Sequence, residues 1–197
     1  MASFNPFDAK RRLILLIFLC LLFILLTETP KSLRGNGVEF NLFREFDDLP
    51  EPFDGLFISV NLTKVDAESD IPSDNGVFTV PFRKLADNTS NISIGYDKGK
   101  LDMRLSLAQR SDYLDYLADD DIETTVEDLN YDNIRFTDDH SQIDFTAKYY
   151  LNDNLTLKFD LININDEPEF YYWGNTSRLS QYDEYGTSAT IGFTYTY

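Results

Sequence analysis

The final eleven residues, TSATIGFTYTY at 187–197, alternate without interruption. Ala189, Ile191, Phe193, Tyr195 and Tyr197 are apolar or aromatic, while Ser188, Thr190, Gly192, Thr194 and Thr196 are small or polar. Successive side chains of an extended backbone point to opposite sides, so this pattern reads as a strand with one apolar and one polar face. About eleven residues also suffice for a tilted strand to cross a bilayer. A half-buried strand of a soluble sandwich alternates in the same way, so the rest of the chain has to separate the two.

From Gly37 onward the alternation recurs. Val38, Phe40 and Leu42 oppose Glu39, Asn41 and Glu45, and Leu56, Ile58, Val60 and Leu62 oppose Ser59, Asn61 and Thr63. Ile92, Ile94 and Tyr96 oppose Asn91, Ser93 and Asp97; Leu101, Met103, Leu105 and Leu107 oppose Asp102, Arg104, Ser106 and Arg110. Ile143, Phe145, Ala147 and Tyr149 oppose Gln142, Asp144, Thr146 and Lys148; Leu155, Leu157, Phe159 and Leu161 oppose Thr156, Lys158 and Asp160. With the terminal segment this predicts about seven strands, and no helical period competes after residue 37.

Two features favour a membrane barrel over a sandwich. The polar residues on the apolar faces, Arg44, Lys64, Gln109 and Asn163, sit at segment ends. A charge at the bilayer midplane costs about 2–4 kcal/mol, but little at the interface, where a long side chain snorkels. The links also alternate in length: 47–55, Lys98-Gly99-Lys100 and Asn152-Asp153-Asn154 are short, whereas 66–90, 111–141 and 164–186 are long. Short turns at one end and long loops at the other are what an outer-membrane barrel has. Charged residues in mid-strand, such as Arg104 and Lys158, suit a wetted lumen and the outer face of a sandwich equally.

Residues 1–34 differ from the rest. Lys10, Arg11 and Arg12 precede fourteen apolar residues, Leu13 to Leu26, as in a secretory signal, and the segment is expected to be helical. The run is short for a spanning helix, which needs about twenty residues. Thr27-Glu28-Thr29-Pro30 offers no small-x-small cleavage site, and Phe18 and Leu19 before Cys20 are too bulky for lipoprotein processing. A signal, an anchor, a buried element and a start foreign to the parent gene all stay open.

Charge excludes one partner class. The 17 Lys and Arg against 34 Asp and Glu give a net charge of −17, which repels nucleic-acid phosphates. Cys20 is the lone cysteine and His140 the lone histidine, so no intramolecular disulfide, His-based metal cluster or His-dependent triad is available. No nucleophile motif or phosphate-binding glycine loop occurs, and neither an enzyme activity nor a cofactor is expected.

In order and spacing, residues 35–197 resemble the C-terminal part of the β-barrel of TonB-dependent outer-membrane receptors. The matching pieces are GVEFN at 37–41, LP at 49–50, DGLFISVNLTKVDAES at 54–69 and IGYDKGKLDMRLSLAQRSDYL at 94–114. The segment Asp144 to Leu161, NDEP at 165–168, Arg178, QYDEYG at 181–186 and the aromatic terminus follow. The resemblance implies an all-β, antiparallel transmembrane barrel fragment in the bacterial outer membrane. It implies energised uptake of a siderophore, a carbohydrate or a similar small molecule, with outer-membrane lipid around the wall. Ile191, Phe193, Tyr195 and Tyr197 would be the signal read by the barrel-assembly machinery. The TonB complex would act only through a plug, which this chain lacks along with about two thirds of the family's strands. Residues 1–34 stand where the family has an earlier strand, so a truncated or rearranged gene is one expectation. Seven strands fall below the eight of the smallest single-chain bacterial barrels, and an open sheet in lipid leaves on the order of twenty backbone groups unpaired, at several kcal/mol each. The chain is therefore expected to need self-association, a complementary fragment or its N-terminal run.

Two loop features are candidates for ligand contact. Tyr171, Tyr172 and Trp173 could stack on a sugar, form an interfacial aromatic girdle or pack the loop. Asp119, Asp120, Asp121, Glu123, Glu127 and Asp128, between Asp112 and Asp139, could ligate Ca2+, but their spacing matches no EF-hand and a solvated loop explains them as well. Five Asn-x-Ser/Thr triplets, at Asn61, Asn88, Asn91, Asn154 and Asn175, keep a rival in view: a signal-anchored, glycosylated β-sandwich used for binding or adhesion. Asn61 and Asn91 fall within predicted strands, where chance placement explains them better.

Overall fold

The alternating segments pair in the order in which they occur. A computed structural model describes residues 33–73, 76–117 and 131–197. Its strands are β1 (Leu33–Glu45), β2 (Leu56–Ser73), β3 (Gly76–Pro81), β4 (Asn88–Lys98), β5 (Leu101–Arg110), β6 (Tyr113–Tyr116), β7 (Arg135–Thr137), β8 (His140–Asn152), β9 (Leu155–Ile162), β10 (Glu169–Trp173), β11 (Leu179–Asp183) and β12 (Ser188–Tyr195). The expected strands form an antiparallel wall in the order β1-β2-β4-β5-β8-β9-β12, with β3 added to the far end of β2. Among the described residues the wall is open, with β1 and β12 as its edges. The apolar run Leu13 to Leu26 and its expected helix lie outside the described residues.

Register decides which side chains share a face, because residues directly opposite in an antiparallel pair point the same way. One row reads Leu42, Val60, Ile92, Leu107, Ile143; another reads Leu56, Tyr96, Met103, Ala147, Phe159, Ile191. Every apolar set read from the sequence therefore lands on one side of the wall. That side is uncovered: Ile94 is 55% exposed and Ile191 83%. The opposite side carries polar ladders, including Asn41-Asn61, where Asn61 donates to Asn41 Oδ1 at 2.6 Å, and Ser93-Ser106, with hydroxyls 3.0 Å apart. Lys148 pairs with Asp102 at 2.9 Å on the same side.

The apolar stripe is slanted. Its centre lies at Phe40 on β1, but between the rows of Ile191 and Phe193 on β12, a drift of about seven residues. At ~3.4 Å per residue the drift is roughly 24 Å along the strands, over six inter-strand spacings of ~4.8 Å, or roughly 29 Å, so the stripe is inclined to the rows by about 40°.

The short turns close as expected. Gly99 takes φ +62° between β4 and β5, a left-handed conformation that an L side chain adopts only with strain. Lys98 donates to Asp54 at 2.6 Å and to Glu51 at 3.1 Å, tying the 47–55 link to that turn. This hydrogen bond holds the Asp54 carboxyl below its ordinary pKa.

The long links correct the sequence reading, which took 66–90, 111–141 and 164–186 as loops. β2 runs on through the first of them to Ser73 and turns into β3, while β6, β7, β10 and β11 form a second antiparallel sheet, ordered β11-β10-β7-β6, from the other two. Their runs, such as EFYYW, are short and flanked by polar residues, so no strand period is legible until the pieces pair. This cap, and not the wall, holds most of the buried core among the described residues: Val80, Leu114, Ile134, Phe136 and Tyr172.

Candidate functional site

The cap is built as a small two-layer packing. Leu114, Phe136 and Tyr172 stand opposite one another on β6, β7 and β10, and Val80 of β3 packs against them. Phe136 and Tyr172 stack with centroids 5.5 Å apart and planes at 15°. The Tyr172 hydroxyl, carried to the edge of this core, donates to Asp112 Oδ2 at 3.0 Å.

Beside this core lies a cluster of cations and rings. The Arg135 guanidinium sits 4.3 Å from the centre of the Tyr116 ring and 5.2 Å from that of Tyr171. Its Nε donates to Asp115 Oδ2 at 2.9 Å and a terminal nitrogen bonds the same oxygen, with both side chains largely buried. From the β3–β4 link, Arg83 donates to the Asp115 carbonyl at 2.7 Å and lies 4.9 Å from the Tyr116 ring centre, and Lys84 Nζ lies 5.7 Å from it. The Tyr171 hydroxyl donates to Glu169 Oε2 at 2.7 Å; this bond, with burial and the carboxylate charge, pushes the phenol well above its ordinary pKa. Arg83, Asp115, Tyr116 and Arg135 meet only through pairing between remote segments, and no motif in the sequence marks them.

The residues singled out by sequence are therefore spread. Tyr172 is a core residue of the cap, Tyr171 faces the Arg135 cluster, and Trp173 is half-buried opposite Arg135 at the end of β10. Asp119, Asp120, Asp121, Glu123, Glu127 and Asp128 lie outside the described residues. His140 opens β8. Among the described residues no group of three His, Cys, Asp or Glu side chains is placed to hold a metal ion. Ile191, Phe193 and Tyr195 extend the apolar rows of β9 opposite Phe159, Leu157 and Leu155, and Tyr197 follows the strand, fully exposed.

Between wall and cap lies an open pocket of about 830 Å³. Its floor is the apolar stripe at Val38, Phe40 and Leu62, and Tyr172 and Thr176 border it from the cap. Asp112, Asp138 and Asp139 also line it, together with Arg110, whose guanidinium donates to the Asp138 carbonyl at 2.6 Å. Burial raises the pKa of Asp138, and the neighbouring Asp139 and Asp112 charges add to the shift.

Neither a family model nor a curated relative matches the sequence. The fold is similar to the crystal structure of the siderophore receptor PiuA from Acinetobacter baumannii, with a TM-score of 0.55 at 17% identity. The likeness covers 83% of this chain and 22% of that one, so the chain spans about a fifth of the receptor's length. At that identity it bears on the fold alone, a receptor-like antiparallel β-structure.

Proposed function

We propose that residues 33–197 are a section of the wall of an outer-membrane receptor of TonB-dependent type, serving uptake of a small ligand such as a siderophore or carbohydrate, with no enzymatic step. The observation that carries the proposal is the slant of the apolar stripe. A hydrocarbon band lies parallel to the membrane plane while barrel strands tilt by about 35–45° from the normal, so on such a wall the band must cross the rows obliquely by the same angle. The stripe's inclination of about 40° meets that requirement. Four apolar rows on a strand cover roughly 27 Å along it, or about 21 Å after projection, close to the ~25 Å apolar band of outer-membrane barrels.

The cap then stands on the outer side as a preformed platform, and the turns at 98–100 and 152–154 face inward to the periplasm. Capture of ligand by the cap and a plug, driven by the TonB complex, belongs to the same proposal, as does reading of Phe193, Tyr195 and Tyr197 by the barrel-assembly machinery. The rival, a signal-anchored sandwich, is less well supported: the second sheet packs on the β2–β3 extension and leaves Ile94, Leu105 and Leu157 of the wall uncovered.

Fractionation of bacteria producing the chain tests the proposal. With its open edges paired by self-association or by the rest of a full-length receptor, it should sediment with outer membranes, resist alkaline extraction and require detergent, and deletion of Tyr197 from the full-length version should lower the inserted fraction. A compact monomer in buffer without detergent would sink the reading.

A further inference from the structure

Register decides on which side of the wall the cap packs. The odd-numbered residues of β2, Asn61 of the polar ladder among them, lie on the polar side, and β3 sets Val80 opposite Ser69 and Phe78 opposite Ile71. Val80 and Phe78 therefore stand on the polar side, and there they meet the core face of the cap, Leu114, Phe136 and Tyr172. In the wall reading that side is the lumen, so the cap leans over the mouth and its other face is turned toward the mouth's axis.

That other face carries two rows. One reads Gln181, Tyr171, Thr137, Tyr113 across β11, β10, β7 and β6, and the next reads Trp173, Arg135, Tyr116. The four rings are half-buried and Gln181 is exposed. The charges on this face are answered locally: Arg135 bonds Asp115, Glu169 accepts from Tyr171, and Asp183 accepts from Gln181 Nε2 at 2.6 Å. Arg83 and Lys84 lie against the Tyr116 ring, and Arg110 lies 5.0 Å from the centre of the Tyr113 ring. Four cations thus stand among three carboxylates, and the face is close to neutral. Thr137, in the middle of its row, is 1% exposed, and its hydroxyl has no hydrogen-bond partner.

We propose, resting on the membrane-wall reading above, that this face binds a neutral oligosaccharide, with a pyranose ring stacked on Trp173 and hydroxyls bonded by Gln181, Asp183 and Glu169. A sugar ring has apolar C–H faces that lie on aromatic rings and hydroxyls around its edge that both donate and accept, which is what rings bordered by an amide and carboxylates match. An apolar ligand would leave those polar groups unanswered. An anionic ligand finds no surplus of positive charge on the face and must approach a chain of net charge −17. From Gln181 to Tyr113 the first row spans three strand spacings, ~14 Å, long enough for an oligosaccharide of a few units.

Trp173 is the lone tryptophan, so its fluorescence reports on the platform directly. The test titrates the full chain, in octyl-polyoxyethylene micelles that carry no sugar headgroup, with maltohexaose, cellohexaose and mannohexaose. At least one should shift the Trp173 emission saturably, and calorimetry should show hexagalacturonate and ferric citrate, both anionic, binding at least tenfold more weakly than that sugar. By calorimetry Trp173→Leu should weaken the sugar about tenfold, the size of one aromatic contact, while Trp173→Tyr keeps most of the affinity. Gln181→Ala, at an exposed site, should cost about fivefold. Tyr182→Leu, 50% exposed on the opposite face of β11, should change nothing. Failure of all three neutral sugars to bind, equal or tighter binding of either anion, or indifference to both Trp173→Leu and Gln181→Ala overturns the proposal. If a micelle-inserted chain gives such a result, the wall reading stands and only the platform assignment fails. If the chain is a soluble monomer without detergent, the wall reading fails and the placement of the platform over a mouth fails with it.

Discussion

Gly95 is the position where a single methyl group should do most damage to the wall. It lies in β4 on the polar side, opposite Phe57 of β2 and Arg104 of β5, and the Phe57 ring folds across it. A Cβ there would overlap Phe57 Cζ and Cε1 and approach the Met103 carbonyl oxygen to 2.7 Å. The ring would have to swing out. It is 9% exposed now, 6.0 Å from Phe43 and 5.5 Å from the Arg104 guanidinium. Losing that burial costs about 2–3 kcal/mol. The ring pair adds about 1 kcal/mol and the cation contact ~0.5–1 kcal/mol. Alanine's intrinsic advantage over glycine in a strand works the other way at only ~0.5–1 kcal/mol. Gly95→Ala should therefore destabilise by roughly 3 kcal/mol. Phe57→Ala alone forfeits the same contacts, so the double variant should cost little more than Phe57→Ala, with a coupling near 3 kcal/mol. Urea unfolding in lipid vesicles, followed by circular dichroism of the strands, measures all three. A Gly95→Ala protein within about 0.5 kcal/mol of the parent, or strict additivity of the two substitutions, would refute the assignment of Phe57 as the ring that needs Gly95 bare.

Other predictions concern the cap. Leu114→Ala should cost about 2–5 kcal/mol locally, because Leu114 is completely buried in the small core; hydrogen exchange should accelerate in β6, β7 and β10 while the wall amides keep their protection. Arg135→Ala leaves the buried Asp115 carboxylate without its cation and should cost about 3–5 kcal/mol in the same experiment, whereas Arg135→Ala with Asp115→Ala should recover part of that loss. Because Tyr171 has its pKa raised in the folded state, its hydrogen bond to Glu169 contributes fully below the unfolded phenol value near pH 10 and is lost as pH climbs toward the folded value. Cap stability should fall in alkali above about pH 10, and Tyr171→Phe should flatten that fall.

What the sequence determined by itself was the local geometry. Period-two alternation needs no partner to be read, so the seven wall strands, the apolar and polar sides, and the tight turns at 98–100 and 152–154 were all legible from residue order. Even there the limits of β1 and β2 were not: β1 begins at Leu33, and β2 runs to Ser73, past the point where apolar alternation ends. The extra length exists because β1 and β3 pair with it. Tertiary structure alone decided register, and with it the slant of the apolar stripe, since a slip of one residue between any two strands would have put the same alternation on opposite sides. It alone decided the cap. β7, for instance, is three residues long, too short to show a period, and is held by partners on β6 and β10 whose contacts are remote in the chain. The Arg135–Asp115–Tyr116 cluster is illegible for the same reason: short-range pattern fixes which way a side chain points, but only long-range pairing fixes what it meets.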